Sequence, residues 1–118
     1  MELMLDEIDK NVAILRADGG LNADNASELV EQVGTLVDTG VRNIIVDCTD
    51  LDYVSTPGLG TLLMLHKRMA ERGGDVKIAA ISGMPAQVLA MTHLDRVFDI
   101  YPDVNQARLA FRPEASEP

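Results

Sequence analysis

Val41-Arg42-Asn43-Ile44-Ile45-Val46-Asp47-Cys48 holds apolar side chains on successive positions, with no polar alternation between Ile44 and Val46. A half-buried strand alternates, whereas a continuous apolar run of this length suits a strand covered on both faces, as in a sheet flanked by helices. Upstream, Ala26, Leu29, Val30, Val33, Leu36 and Val37 recur at helical spacing, with Glu28, Glu31 and Gln32 outside the stripe. The cap-rich run Asn22-Ala23-Asp24-Asn25 opens that helix and Thr39-Gly40 ends it. Downstream, a loop is expected from Thr49 to Ser55. A second helix then starts at Thr56-Pro57-Gly58, buries Leu59, Leu62, Leu63, His66 and Met69, and closes at Glu71-Arg72-Gly73-Gly74.

Further out, Val76–Ile81 reads as a strand, and Met84–Leu94 as a helix with Pro85 in its first turn. A short strand is expected over Val97–Tyr101, and a last helix from the cap Asp103 to about Phe111. At the other end, Met1–Leu5, the polar turn Asp6-Glu7 and the strand Asn11–Ala17 form a β-hairpin or a pair of neighbouring strands, stopped by a break at Asp18-Gly19-Gly20. The order β-β-α-β-α-β-α-β-α predicts an α/β fold: a central, mostly parallel sheet with an N-terminal hairpin or strand pair and about four helices. At 118 residues this is one expected domain, 1–112, with 113–118 (Pro113-Glu114-Ala115-Ser116-Glu117-Pro118) as a disordered tail.

Composition narrows the function classes. Tyr53, Tyr101, Phe98 and Phe111 are the only aromatics, so the core is aliphatic and base stacking lacks its rings. A net charge of −9 repels phosphate backbones and anionic headgroups, which disfavours nucleic acid and direct membrane binding and suits a partner with a basic face. The single cysteine, Cys48, follows an apolar run and reads as a small hydrophobe at a strand end; one thiol cannot form an intrachain disulfide. The start lacks the order of a signal peptide and no stretch approaches a membrane span, so a cytoplasmic protein is expected.

Asp52-Tyr53-Val54-Ser55-Thr56-Pro57-Gly58-Leu59-Gly60 places two adjacent hydroxyls at a strand-to-helix junction. With Pro57 at the first helical position, Thr56 is the expected N-cap, a role that contributes about 1 kcal/mol. A phosphate on Thr56 would sit at the positive end of the helix dipole and add about −1.5 to −2 charges in one place.

From Glu2 to about Phe111 the chain resembles the STAS family, through its element order, the Gly19-to-Asn25 turn, the Ile44-Ile45-Val46-Asp47-Cys48 strand and the Tyr53-to-Leu63 block. At this length it is similar to a stand-alone anti-sigma factor antagonist. The resemblance implies a partner-switching regulator, not an enzyme. Its partner would be an anti-sigma factor serine/threonine kinase of histidine-kinase-like ATPase fold, opposed by a serine phosphatase. Against the family pattern Asp-Ser-Ser/Thr-Gly-Leu the chain reads Ser55-Thr56-Pro57-Gly58-Leu59, which the resemblance takes to put Thr56 at the phospho-acceptor position, with Ser55 the alternative. The implied partner surface is Asn22, Ser55, Thr56, Gly58, Gly60 and Met64. Ser55 and Asn22 stand where the family carries acidic residues. That departure favours the alternative reading: a non-phosphorylated STAS adaptor, such as the small subunit of a lipid-transport ATPase complex.

The remaining constellations are weaker. His66 and His93 have no His or Cys at ligand spacing, so no metal site and no cofactor is expected. Asp47, Asp50 and Asp52 stand beside Ser55 and Thr56, but with no Gly-rich phosphate fingerprint they read as a solvated binding surface rather than the acids of a small hydrolase. Met64 is expected off the buried stripe of the second helix, as an adaptable contact.

Overall fold

Right-handed crossovers between parallel strands that lie side by side in chain order put all their helices on one face of the sheet. The computed structural model has that arrangement. It describes residues 2–9 and 11–111; within 2–9 it describes the backbone and the side chain of Leu5. The strands are β1 (Glu2–Asp9), β2 (Val12–Leu21), β3 (Asn43–Val54), β4 (Asp75–Ala79) and β5 (Ile100–Tyr101), ordered β1-β2-β3-β4-β5 across one sheet. β1 pairs with β2 antiparallel, and the other neighbours pair parallel. The helices are α1 (Ala26–Asp38), α2 (Thr56–Glu71), α3 (Gly83–Met91) and α4 (Val104–Ala110). No helix among the described residues is long and apolar enough to cross a membrane.

The expected two-sided burial of the central strand is observed. Ile44, Val46 and Cys48 join the main core with Leu29, Leu36, Leu62, Leu65 and Leu89 from α1, α2 and α3, while Ile45 packs on the opposite face with Ile14, Ala79 and Ala107 of α4. On β4, Lys77 is buried with its Nζ 2.9 Å from Asp99 and 3.1 Å from Asp75, and 4.6 Å from the centre of the Phe111 ring. Burial pulls the Lys77 ammonium toward neutrality, but hydrogen bonds to Asp99 and Asp75 and their negative charges outweigh it and leave the pKa raised.

Several expected boundaries move. The expected loop Thr49–Ser55 is strand as far as Val54, and the expected break at Asp18-Gly19-Gly20 is the last part of β2. These segments pair with each other through two register shifts, between Arg16 and Asp18 and between Gly19 and Gly20, which destroy the two-residue alternation that would have marked them as strand. Asp6-Glu7 likewise lies inside β1, at a bulge between Leu5 and Glu7. β4 stops at Ala79 and α3 at Met91; a short 3-10 turn, Leu94–Arg96, leads to the buried Phe98 and leaves β5 only two residues. On α2 the buried stripe is Gly58, Leu59, Leu62, Leu65 and Met69; Leu63 is exposed, and His66 is half-buried against Phe98 and Asp75. The expected tail 113–118 lies outside the described residues.

Candidate functional site

The carboxyl ends of β2 and β3 lead into the first turns of α1 and α2, and the residues singled out in the sequence meet there. β3 runs straight into Ser55, whose backbone is extended (φ −90°, ψ 169°) and whose Oγ accepts a 3.1 Å hydrogen bond from the Gly58 N–H. Ser55, not Thr56, is therefore the N-cap of α2, which places Thr56 and Pro57 at its first two helical positions. Proline is tolerated at either place, since neither N–H has a partner within a helix; Pro57 located the helix start without separating the two hydroxyls. The exchange of roles matters chemically. Ser55 Oγ is half-buried and engaged, whereas Thr56 is exposed.

Gly58 explains how the two loops are joined. A Cβ at this position would stand 2.6 Å from the Leu21 carbonyl oxygen and 2.9 Å from the Leu21 Cγ, so only glycine lets α2 approach the end of β2. The same Leu21 oxygen accepts the Ser55 N–H at 2.9 Å. Gly58 is buried, which makes it a support of this surface rather than part of its skin; Gly60 is exposed.

Asn22 follows Leu21 directly. Its Oδ1 accepts from the backbone N–H groups of Asp24 (2.9 Å) and Asn25 (3.2 Å), and its own N–H donates to Asn25 Oδ1 at 2.8 Å. Asn25 Nδ2 returns to the Gly20 carbonyl at 2.7 Å. The two amides lock each other, and every bond at the Asn22 side chain is accepted by oxygen, so a carboxylate there would serve the same turn.

Tyr53 is the residue that sequence reading left out of the site. Its ring lies against Gly20, where an added Cβ would come within 3.2 Å of Cδ2, and the side chain remains exposed on the same end of the molecule. Leu63, seven residues after Thr56 and so on its side of α2, is the exposed apolar residue of that stripe; the expected contact Met64 is half-buried against the core. An exposed aromatic next to a glycine in a pairing strand, Tyr53 opposite Gly20, was the available signal.

The acidic residues do not converge. Asp47 is buried and accepts from the Thr49 N–H (3.1 Å) and Oγ1–H (2.6 Å), Asp50 faces Arg16 at 3.9 Å, and Asp52 is exposed. No group of three or more His, Cys, Asp or Glu among the described residues is arranged to hold a metal ion. Cys48 is fully buried; burial, with the charge of Asp47 second, pushes its thiol pKa up to about 12 and leaves it a structural residue.

The end of the molecule thus offers the exposed hydroxyl of Thr56 on the start of α2, together with a rigid asparagine turn, an exposed ring and an exposed leucine. Comparison with known proteins identifies the family and the fold. The sequence profile of the STAS domain family matches residues 4–107. A Bordetella bronchiseptica protein named as a candidate anti-sigma factor antagonist, BtrV, is 27% identical over 95% of this chain and 96% of its own length. The crystal structure of a candidate anti-sigma factor antagonist from Thermotoga maritima superimposes with a TM-score of 0.81 at 25% identity, covering 88% of this chain and 90% of that one. The Bacillus cell fate determinant SpoIIAA, solved in its phosphorylated form, shares the fold with a TM-score of 0.75 at 16% identity, over 94% of this chain and all of that one.

Proposed function

Because the chain belongs to the STAS domain family, we propose that it is an anti-sigma factor antagonist that works by binding, in the cytoplasm, an anti-sigma factor kinase of histidine-kinase-like ATPase fold. The observation that carries this reading is the division of labour at the α2 start: Ser55 caps the helix while Thr56, beside it, is exposed. Asn22, Ser55, Thr56 and Gly60 form the docking surface, with Met64 behind it and Gly58 as its support. The name of BtrV and the phosphorylated form in which the Bacillus relative was solved support the same reading.

Thr56 is the acceptor of the kinase's phosphate in this proposal, with Ser55 the alternative, and a serine phosphatase resets it. Pro57 has no N–H and the Gly58 N–H is already bound to Ser55, so Thr56 N–H is the one first-turn donor left for an anion. A phosphate here therefore gains little from the helix end. It acts by adding about two negative charges to a surface that must dock against a partner.

The test is a pull-down from native lysate with wild-type and Thr56→Glu proteins as paired baits. A histidine-kinase-like ATPase held by the wild type and lost from the variant supports the switch. A partner held equally by both supports instead a constitutive adaptor, as in a lipid-transport complex, a reading favoured by the absence of an acidic residue at 22 and 55.

A further inference from the structure

We propose that the groove between α1 and α2 binds a small amphiphilic monocarboxylate, with a tail of about four to six carbons and its carboxylate on Arg68 and Arg72. The groove lies away from the α2 start and has a cavity volume of about 120 Å³. An apolar cavity of roughly 150 Å³ accommodates benzene, which sets the size of the tail. Its floor is the buried side of both helices: Val33 from α1, and Leu65 and Met69 from α2.

Two features of the walls point to a ligand rather than to imperfect packing. Gly34 sits in the middle of α1, where glycine costs about 1 kcal/mol relative to alanine, yet a Cβ added there would meet nothing within 4 Å. Packing does not require the glycine, and its effect is to keep the groove open. Arg68, in the last turn of α2, and Arg72, the residue that caps its end, are exposed and both line the groove, and neither is in an ion pair within 4.0 Å among the described residues. The helix dipole favours cations in the last turn of α2 but does not direct them toward an apolar cleft. Among the described residues Asp38 is the single acid on the rim, so their lining carries a net positive charge on a chain whose total is −9. One carboxylate bridging two guanidinium groups satisfies both, while an apolar tail fills the floor.

The test is titration of ¹⁵N-labelled protein with hexanoate, with hexanol and acetate as arms that remove the charge and the tail. Hexanoate is expected to give saturable amide shifts confined to Val33, Gly34, Met69, Arg72 and their neighbours, at least tenfold tighter than either control. Gly34→Leu, which fills the groove on a helix it should not destabilise, is expected to abolish the shifts. Arg68→Gln/Arg72→Gln is expected to weaken binding about tenfold and to erase the preference over hexanol. Unsaturable shifts, equal binding of hexanol, or hexanoate binding unchanged in either variant would overturn the proposal. Should Gly34→Leu fail to fold, the arginine pair decides alone.

Discussion

At Gly58, one hydrogen atom in place of a methyl group lets α2 touch the end of β2. Gly58→Ala pushes a carbon to within 2.6 Å of the Leu21 oxygen, and a loss of about 1–3 kcal/mol is expected in urea denaturation, although alanine is the better helix former. Ser55→Ala removes the cap and should cost about 1 kcal/mol, whereas Thr56→Ala, at an exposed position, should fall within about 0.5 kcal/mol of wild type. The same denaturation curves therefore separate the two hydroxyls. Cys48, its pKa about 12, should resist iodoacetamide at pH 8 in the folded protein and react once urea exposes it. Its burial was readable from the apolar run before it. The cap was not: serine and threonine both cap well, and a proline that fits either of two positions leaves a one-residue ambiguity that only the backbone angles of Ser55 resolve.

Among the elements, the alternating order and the two covered faces of β3 were legible because uninterrupted apolar periodicity marks both. What stayed hidden was the length of β2 and β3. Gly19, Gly20 and Asp50 are residues of turns and loops by composition, and they are held in the sheet by pairing between distant segments that no local window contains. The Asn22 turn follows from its own hydrogen bonds: Asn22→Asp should keep the fold and Asn22→Ala should lose about 1–2 kcal/mol, measured by thermal or urea unfolding. β4 carries one part of the alkaline pH response, beside the buried Cys48 thiol of β3. The folded pKa of Lys77 lies above its unfolded value, so its contribution is complete below about pH 10.5 and is lost as pH rises through the folded pKa. Lys77→Met should thus be about 1–2 kcal/mol less stable than wild type at pH 8, and the gap should close in strongly alkaline buffer.

Over the whole molecule, a charge of −9 on a 118-residue chain acts at a distance. If the partner presents a basic face, the association rate measured by stopped flow should fall severalfold between 0.02 and 0.5 M salt, roughly, while dissociation changes little. A flat salt dependence would assign recognition to the apolar contacts of Tyr53 and Leu63. The Leu21 carbonyl then acquires a wider meaning. It receives Ser55 and abuts Gly58 on one side, and its own chain continues at once into the locked Asn22–Asn25 turn on the other. The two halves of this surface cannot drift independently, so a partner docking there as proposed would find it already shaped and would lose little conformational entropy in ordering it. A surface so preorganised has no softness with which to absorb an unwelcome group, and a single added phosphate would have to be met by the partner alone.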